Sequence, residues 1–227
     1  MLAHGAVATG VRDLWPWLAL AGLGAFHGLN PGMGWLFAVG LGLQEEDERA
    51  VRRALLPIAL GHAASIALVV LLFGVLSLVV PPGVLRYAAA AGLIGFGVYK
   101  LVRARHPRWV GNRVGFRDLT AWSFLMSTAH GAGLMLAPAL LGITAAARAG
   151  AFIGRAHEVA AGVLTASLGI AAAAVAVHTL TMLGVAGVVA IVVYRKVGLR
   201  FLRTGWVNLD LLWAVSLVAV GALMLVL

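Results

Sequence analysis

The chain has 227 residues, of which 62% are hydrophobic and only 11% are charged, and it contains no cysteine. With a mean hydropathy of +1.00, this composition excludes a water-soluble globular domain and indicates an integral membrane protein. The lack of cysteine excludes disulfides and thiol-relay chemistry. The net charge of +9 does not indicate a nucleic-acid partner, because the basic residues lie in short connections between apolar segments.

Six apolar segments are long enough to cross a bilayer as helices, which requires about 20 residues each. The predicted fold is an all-α integral membrane protein that forms one polytopic domain over residues 1–227. A less apolar connection is predicted for residues 144–163, and the start of the fifth span is open between Leu164 and Ala172. The spans are predicted at about Leu14–Leu43, Val51–Val80, Leu85–Val102, Leu119–Ile143, Leu164–Tyr194 and Asn208–Leu227.

Lysine and arginine are distributed unevenly between the predicted connections. Of the 17 basic residues, 13 lie in the connections after spans one, three and five or within the adjoining three residues of a span. Because positively charged loops are retained in the cytoplasm, both termini are predicted to lie outside it. The expected location is the cell inner (plasma) membrane. The acidic run Glu45–Glu48 is predicted to be a solvated turn that places negative charge at the start of the next helix.

The first span contains a polar interruption, since residues 26–34 read Phe-His-Gly-Leu-Asn-Pro-Gly-Met-Gly. Proline removes a helical hydrogen bond and glycine loosens the backbone, so Gly28, Pro31 and Gly32 are predicted to break the helix. Irregular backbone at membrane depth is tolerated only where protein or a wet cavity covers it. The segment therefore indicates a transporter binding site. The alternative is a kinked helix in which His27 caps a freed carbonyl group.

The second half of the sequence repeats the order of features in the first half. Spans one and four each contain a His-Gly pair followed within eight residues by Met and Pro, spans two and five each carry a histidine, and spans three and six carry none. This order predicts two three-helix repeats, at about 14–102 and 119–227. Three spans is an odd number, so the second repeat is inverted, as in many secondary transporters. The predicted break in span four comprises Gly131 and Pro138.

The candidate site residues are polar or sulfur-containing side chains inside the predicted spans. Neutral imidazole is a good ligand for transition metals such as nickel, cobalt, zinc, copper and iron. The span histidines therefore predict a metal-cation site near the membrane midplane. Asn30 could add an oxygen, and Met33 and Met135 could add thioethers or serve as ordinary packing. No acid lies deep in a span, which argues against magnesium and calcium. The histidines are His27, His62, His130 and His178.

Two other interpretations remain open. The helix that restarts after Pro31 would direct free N–H groups at the break, which suits a small anion or another organic solute, with the histidines used for proton coupling. Alternatively, two histidines on facing helices could ligate a haem iron or another metal in an accessory protein of electron transfer or assembly. The sequence contains no soluble-enzyme motif, so the chain is not expected to be an enzyme or to require a cofactor.

Two inverted three-helix halves with a break in the first helix of each resemble the LysE-type transporter superfamily. Its relatives include nickel/cobalt exporters, TauE/SafE-type anion exporters, and the DsbD/CcdA-type and urease-accessory-type membrane domains. The motif at residues 27–33 is similar to the His-containing first-helix motif of the nickel/cobalt and urease-accessory branches, although Asn30 and Met33 replace the acids and second histidine of the former. The resemblance implies a secondary transporter, in the export direction, with His27 as the residue that carries over.

The expected partners follow from this reading of the chain. They are the lipid bilayer, a metal ion or small solute and, because 29 glycines allow close helix packing, a second copy of the chain.

Overall fold

The structure of the protein is a computed structural model that describes residues 3–102, 115–136, 156–197 and 209–226. Within these ranges the regular elements are helices, and no strand occurs. The predicted all-α class is therefore confirmed for the described part of the chain. The helices are α1 (Ala3–Leu29), α2 (Trp35–Glu45), α3 (Glu48–Val79), α4 (Pro82–Val102), α5 (Phe116–Ala129), α6 (Ala132–Met135), α7 (Ala156–Val192) and α8 (Leu209–Val226).

Three helical stretches of the described chain are long and apolar enough to cross a membrane. They are Glu48–Leu76, Gly83–Val102 and Leu168–Val197, and two shorter apolar helical stretches run over Leu14–Leu29 and Leu211–Val226. The outer faces of these helices carry large apolar side chains; Leu71 of α3 and Leu180 of α7 are 60% and 66% exposed. Apolar surface of this kind favours lipid over water, so the chain is a membrane protein. The three long stretches correspond to the second, third and fifth of the six predicted spans.

Helix boundaries agree with the sequence analysis for α3, α4 and α8 to within a few residues. The fifth span differs in one respect, because α7 already begins at Ala156. Residues 156–163 of the segment that was predicted to be a less apolar connection are therefore helical. The segment contains several alanines, which favour helix irrespective of burial, and hydropathy does not detect a helix that extends beyond the apolar core of a bilayer.

The first predicted span is divided into two helices. After α1 ends at Leu29, Asn30 adopts an extended conformation, and a short 3₁₀ turn covers Pro31–Met33. Gly34 then takes φ 115° and ends that turn just before α2, a left-handed conformation that glycine adopts without steric cost. Gly28, which was predicted to belong to the break, lies in the last turn of α1. The helix is therefore continuous through Gly28, and the break begins at Asn30.

A second break separates α5 from α6. Helix α5 ends at Ala129, and Gly131 adopts φ 68° immediately before α6, a left-handed conformation that residues with a Cβ rarely adopt. The described chain stops one residue after Met135, so Pro138, the other predicted break residue, lies outside the described residues.

The long helices pack in three pairs that are distant in sequence. Helix α1 packs along α7, α3 along α5, and α4 along α8, while α2 lies against both α3 and α7. Buried apolar side chains fill the spaces between these pairs in three clusters. This arrangement brings α1, α3 and α7 together in the interior, and each of these helices carries one of the span histidines.

Candidate functional site

Three of the four span histidines converge inside the helix bundle. The ring centroid of His27 lies 5.5 Å from that of His62 and 4.8 Å from that of His178, and the centroids of His62 and His178 are 5.5 Å apart. All three side chains are 0% exposed. We call these three residues the histidine cluster. It combines α1 and α3 from the first predicted half with α7 from the second.

Backbone hydrogen bonds anchor two rings of the cluster. Nδ1 of His27 lies 2.7 Å from the carbonyl oxygen of Leu23 one turn earlier, and Nδ1 of His178 lies 3.2 Å from the carbonyl oxygen of Leu20 on α1. A carbonyl oxygen only accepts hydrogen bonds, so each Nδ1 carries the proton, and Nε2 of a neutral ring holds a lone pair. Neither Nε2 has a hydrogen-bond partner in the described part of the chain. Each ring therefore presents an unprotonated nitrogen as a Lewis base.

His62 is held differently from the other two rings. Neither of its ring nitrogens has a hydrogen-bond partner among the described residues. The ring instead stacks on His178 with an angle of 8° between the planes. No hydrogen bond to the described residues fixes the orientation of His62, so its ring can turn without breaking one.

Two further polar groups near the break and on α7 lack partners within the described ranges. The Asn30 side-chain oxygen accepts the Gly32 N–H at 2.9 Å and so caps the 3₁₀ turn, whereas its Nδ2 is buried without a partner. The Thr179 hydroxyl, next to His178, is also buried and unpaired. The group of Asn30 that has no partner among the described residues is therefore the side-chain amide NH2, a hydrogen-bond donor. A buried polar group without a partner costs about 1–3 kcal/mol, so each of these two groups lowers the stability of the fold.

His130, the fourth span histidine, lies beside Trp213 of α8. Its Nδ1 is 2.7 Å from the carbonyl oxygen of Met126, the same one-turn anchoring as in His27. The Trp213 ring contacts both His27 and His130, with centroid distances of 4.3 and 5.6 Å. Its indole N–H donates to the His130 carbonyl oxygen at 2.7 Å. Trp213 thus links the histidine cluster to the second break.

Sequence reasoning did not identify Trp213 as a site residue. Its only signal is position, because it lies several residues inside the last predicted span, whereas membrane tryptophans concentrate at the interfaces. In the structure it is 1% exposed and stacks on Phe26 with a centroid distance of 5.3 Å.

The remaining predicted site residues in the described part of the chain lie in the apolar core, in the last turn of α1 or in the two breaks. Met33 and Met135 are buried in the apolar cluster that contains Leu93, Trp213 and Leu217. Pro31 begins the 3₁₀ turn, and Gly32 lies next to His130: a Cβ at Gly32 would stand 3.6 Å from Nε2 of His130. The two breaks therefore touch each other.

The rings do not form a metal site in this arrangement. Among the described residues, no group of three or more His, Asp or Glu side chains is placed to hold a metal ion. The stacking of His62 on His178 gives a physical reason, because the lone pairs of an imidazole lie in the ring plane. Two stacked, parallel rings cannot direct those lone pairs at one point.

No protein-family model matches the chain, and no curated protein or solved structure matches it significantly. The resemblance to the LysE-type superfamily thus stays a prediction that rests on the residues quoted for it.

Proposed function

We propose that this protein is a secondary membrane transporter that moves a transition-metal cation (nickel, cobalt, zinc, copper or iron), in the export direction, through the histidine cluster. The single observation that carries this proposal is the convergence of His27, His62 and His178 from three helices. All three are fully buried, and each has at least one ring nitrogen without a hydrogen-bond partner among the described residues. The metal is the transported substrate and not a resident cofactor.

The chemistry of the buried groups favours a transition metal. The buried polar side chains of the described chain are histidines, serines, one threonine and one asparagine, with no carboxylate among them. Hard cations prefer carboxylate oxygens, whereas imidazole nitrogen suits first-row transition metals. The backbone bonds at Nδ1 of His27 and His178 also resemble the outer hydrogen bonds that orient metal-binding histidines and increase their basicity.

Binding requires one local movement, a rotation of the His62 ring out of its stacked position. His27 and His178 keep their Nδ1 hydrogen bonds while they offer Nε2, and His62 supplies the third nitrogen once it turns. Three imidazoles with no carboxylate form a neutral ligand set. We expect such a set to hold a divalent cation less tightly than an anionic one, which suits a site that must also release its cargo.

The helix pairs support the inverted-repeat architecture that the proposal assumes. If the halves 14–102 and 119–227 are exchanged, the α1–α7 pair becomes the α5–α3 pair, and the α4–α8 pair maps onto itself. These are the pairs that pack together. The one-turn Nδ1 bonds of His27 and His130 are also equal in length, at 2.7 Å. Both features are expected if six membrane-crossing helices form two halves that are related by a two-fold axis.

A second candidate is a proton-coupled transporter of a small anion or another organic solute. Two observations favour it: the described rings do not form a metal-holding group, and Asn30 offers an unpaired N–H donor. A haem protein is not proposed, because rings whose centroids are 4.8–5.5 Å apart contact each other and leave no space for a porphyrin.

Flux measurements in liposomes test the proposal. Purified protein is reconstituted with a metal-sensitive dye inside the vesicles, and each of the five cations is added outside. We expect flux above that of empty liposomes for at least one cation, a reduction of at least tenfold in His178→Ala, and retention in Met33→Leu, a packing change outside the cluster. Flux equal to empty liposomes for all five cations would contradict the proposal. Proton-driven anion uptake in the same vesicles would establish the second candidate.

A further inference from the structure

One end of the α3–α7 pair is closed by an ion pair. Glu48, the first residue of α3, accepts hydrogen bonds from Nε and Nη2 of Arg195, the latter at 2.9 Å. Arg195 lies in a π-helical turn, Val193–Val197, that continues α7. Glu48 also accepts from Arg52 one turn further along α3. We call the Glu48–Arg195 pair the latch, because it is the contact of this network that joins two helices.

The helices joined by the latch are those that carry His62 and His178. At 1.5 Å per residue, the latch residues lie about 20–25 Å along their helices from the two histidines. The latch is therefore close to one end of the bundle, and the histidine cluster lies deep inside it. The surrounding connections are rich in arginine and lysine, so this end is the one predicted to face the cytoplasm.

Apolar side chains fill the space between the latch and the histidine cluster. They recur every three or four residues on α3 and α7, so each set lies on one face of its helix. Each of the six is at most 5% exposed, and all belong to one buried cluster. We call them the plug: Val51, Ala54 and Ile58 of α3, and Met182, Ala186 and Ala190 of α7.

We propose that the latch and the plug form a closed gate between the histidine cluster and the water at this end of the bundle, and that separation of Glu48 from Arg195 opens it. The gate rests on the proposed function in one respect: the transported substrate is what passes through the open gate. The latch side chains are partly exposed, 21% for Glu48 and 57% for Arg195. Exposed ion pairs are weak, so the contact can open readily. The two-point Arg–carboxylate geometry still defines the closed position.

Cysteine labelling tests the gate directly, because the native chain has no cysteine and one introduced thiol is the only reactive one. Ala54 of the plug is 4% exposed, and Ala54→Cys adds little volume. The protein is placed in lipid nanodiscs and treated with a charged maleimide. We expect slow labelling of Ala54→Cys alone and labelling at least tenfold faster when Arg195→Ala is added.

Matched variants distinguish the loss of the latch from a general loosening of the helix packing. Arg52→Ala removes the other partner of Glu48 but breaks no contact between helices, so we expect labelling of Ala54→Cys to change less than twofold. Leu56→Cys lies on the outer face of α3, where Leu56 is 57% exposed, and its labelling should not respond to Arg195→Ala. If Arg195→Ala does not fold, Glu48→Gln must give the same acceleration, and the exchange Glu48→Arg with Arg195→Glu must restore slow labelling.

The gate is refuted if Ala54→Cys is labelled at the same rate with and without Arg195, or if Arg52→Ala accelerates labelling as much as Arg195→Ala does. The measurement contains no metal and no transport step, so its failure is distinct from failure of the proposed function. Metal flux with no effect of the latch on labelling would retain the transporter and remove the gate.

Discussion

A tight helix contact at Gly24 gives the sharpest prediction about the cluster. A Cβ at this position of α1 would lie 3.1 Å from the His178 carbonyl carbon and 3.2 Å from Thr181 Cβ, and closer still to the His178 carbonyl oxygen. A backbone carbonyl cannot turn aside as a flexible side chain can, so α7 must move away. A Cβ at Gly22, on the same helix, meets no atom of the described residues within 4 Å, and Gly22→Ala is therefore the matched control.

The expected magnitudes follow from this geometry. Both substitutions replace glycine by alanine within α1, so the gain in helix propensity is common to both and cancels in the comparison. The two variants should therefore differ by the cost of overpacking at Gly24, about 1–3 kcal/mol, which corresponds to about 2–12 °C in Tm for a chain of this size. The Tm of each variant is measured by intrinsic tryptophan fluorescence, in the same detergent for both.

The same displacement also affects the site. A separation of α1 and α7 by roughly 1 Å exceeds the tolerance of about 0.2 Å in metal–ligand distances, so Gly24→Ala should weaken zinc binding in calorimetry while Gly22→Ala should not. Equal melting temperatures and equal zinc affinities for the two variants would refute both the close contact and its role in positioning His27 against His178.

Three further predictions concern the side chains around the cluster. His178→Ala should reduce zinc binding at least tenfold more than His130→Ala in equilibrium dialysis, because His130 is outside the cluster; equal losses would contradict this division. Trp213→Phe keeps the ring contacts but leaves the His130 carbonyl without its indole donor, so the free energy of unfolding should fall by about 1–3 kcal/mol, and an unchanged midpoint in chemical denaturation would count against it. Zinc affinity should fall at acid pH, where protons compete with the metal for the ring nitrogens; an affinity that stays unchanged at a pH low enough to protonate the three rings would exclude imidazole ligands.

The sequence determined much of the fold through local signals. The lengths of α3 and α4 follow from their apolar runs, and the proline and glycines after Leu29 correctly indicated an interruption, although the helix continues through Gly28 to Leu29. The start of α7 at Ala156 was not predictable from hydropathy, because alanine-rich sequence can be helical without being strongly apolar.

The site was only partly predictable, because it depends on contacts between distant segments. Histidines stand out as polar groups in apolar runs, but which of them meet depends on how α3 and α7 are rotated and paired, and periodicity does not report this. Trp213 differs from other apolar span residues in the sequence only by its position, several residues inside the last predicted span. Likewise, Glu48 belongs to an acidic run that indicated a solvated turn with negative charge at the start of the next helix, whereas its hydrogen bond to Arg195 joins residues that are far apart in the chain.

X-ray absorption at the zinc edge tests the central claim most directly, since it reports the atoms that surround the bound ion. For purified protein loaded with zinc, we predict imidazole nitrogens from three rings at about 2.0–2.1 Å, and one fewer imidazole in His62→Ala. A coordination shell that is identical in the native protein and in His62→Ala, or failure to bind any of the five cations, would contradict a shared site formed by His27, His62 and His178.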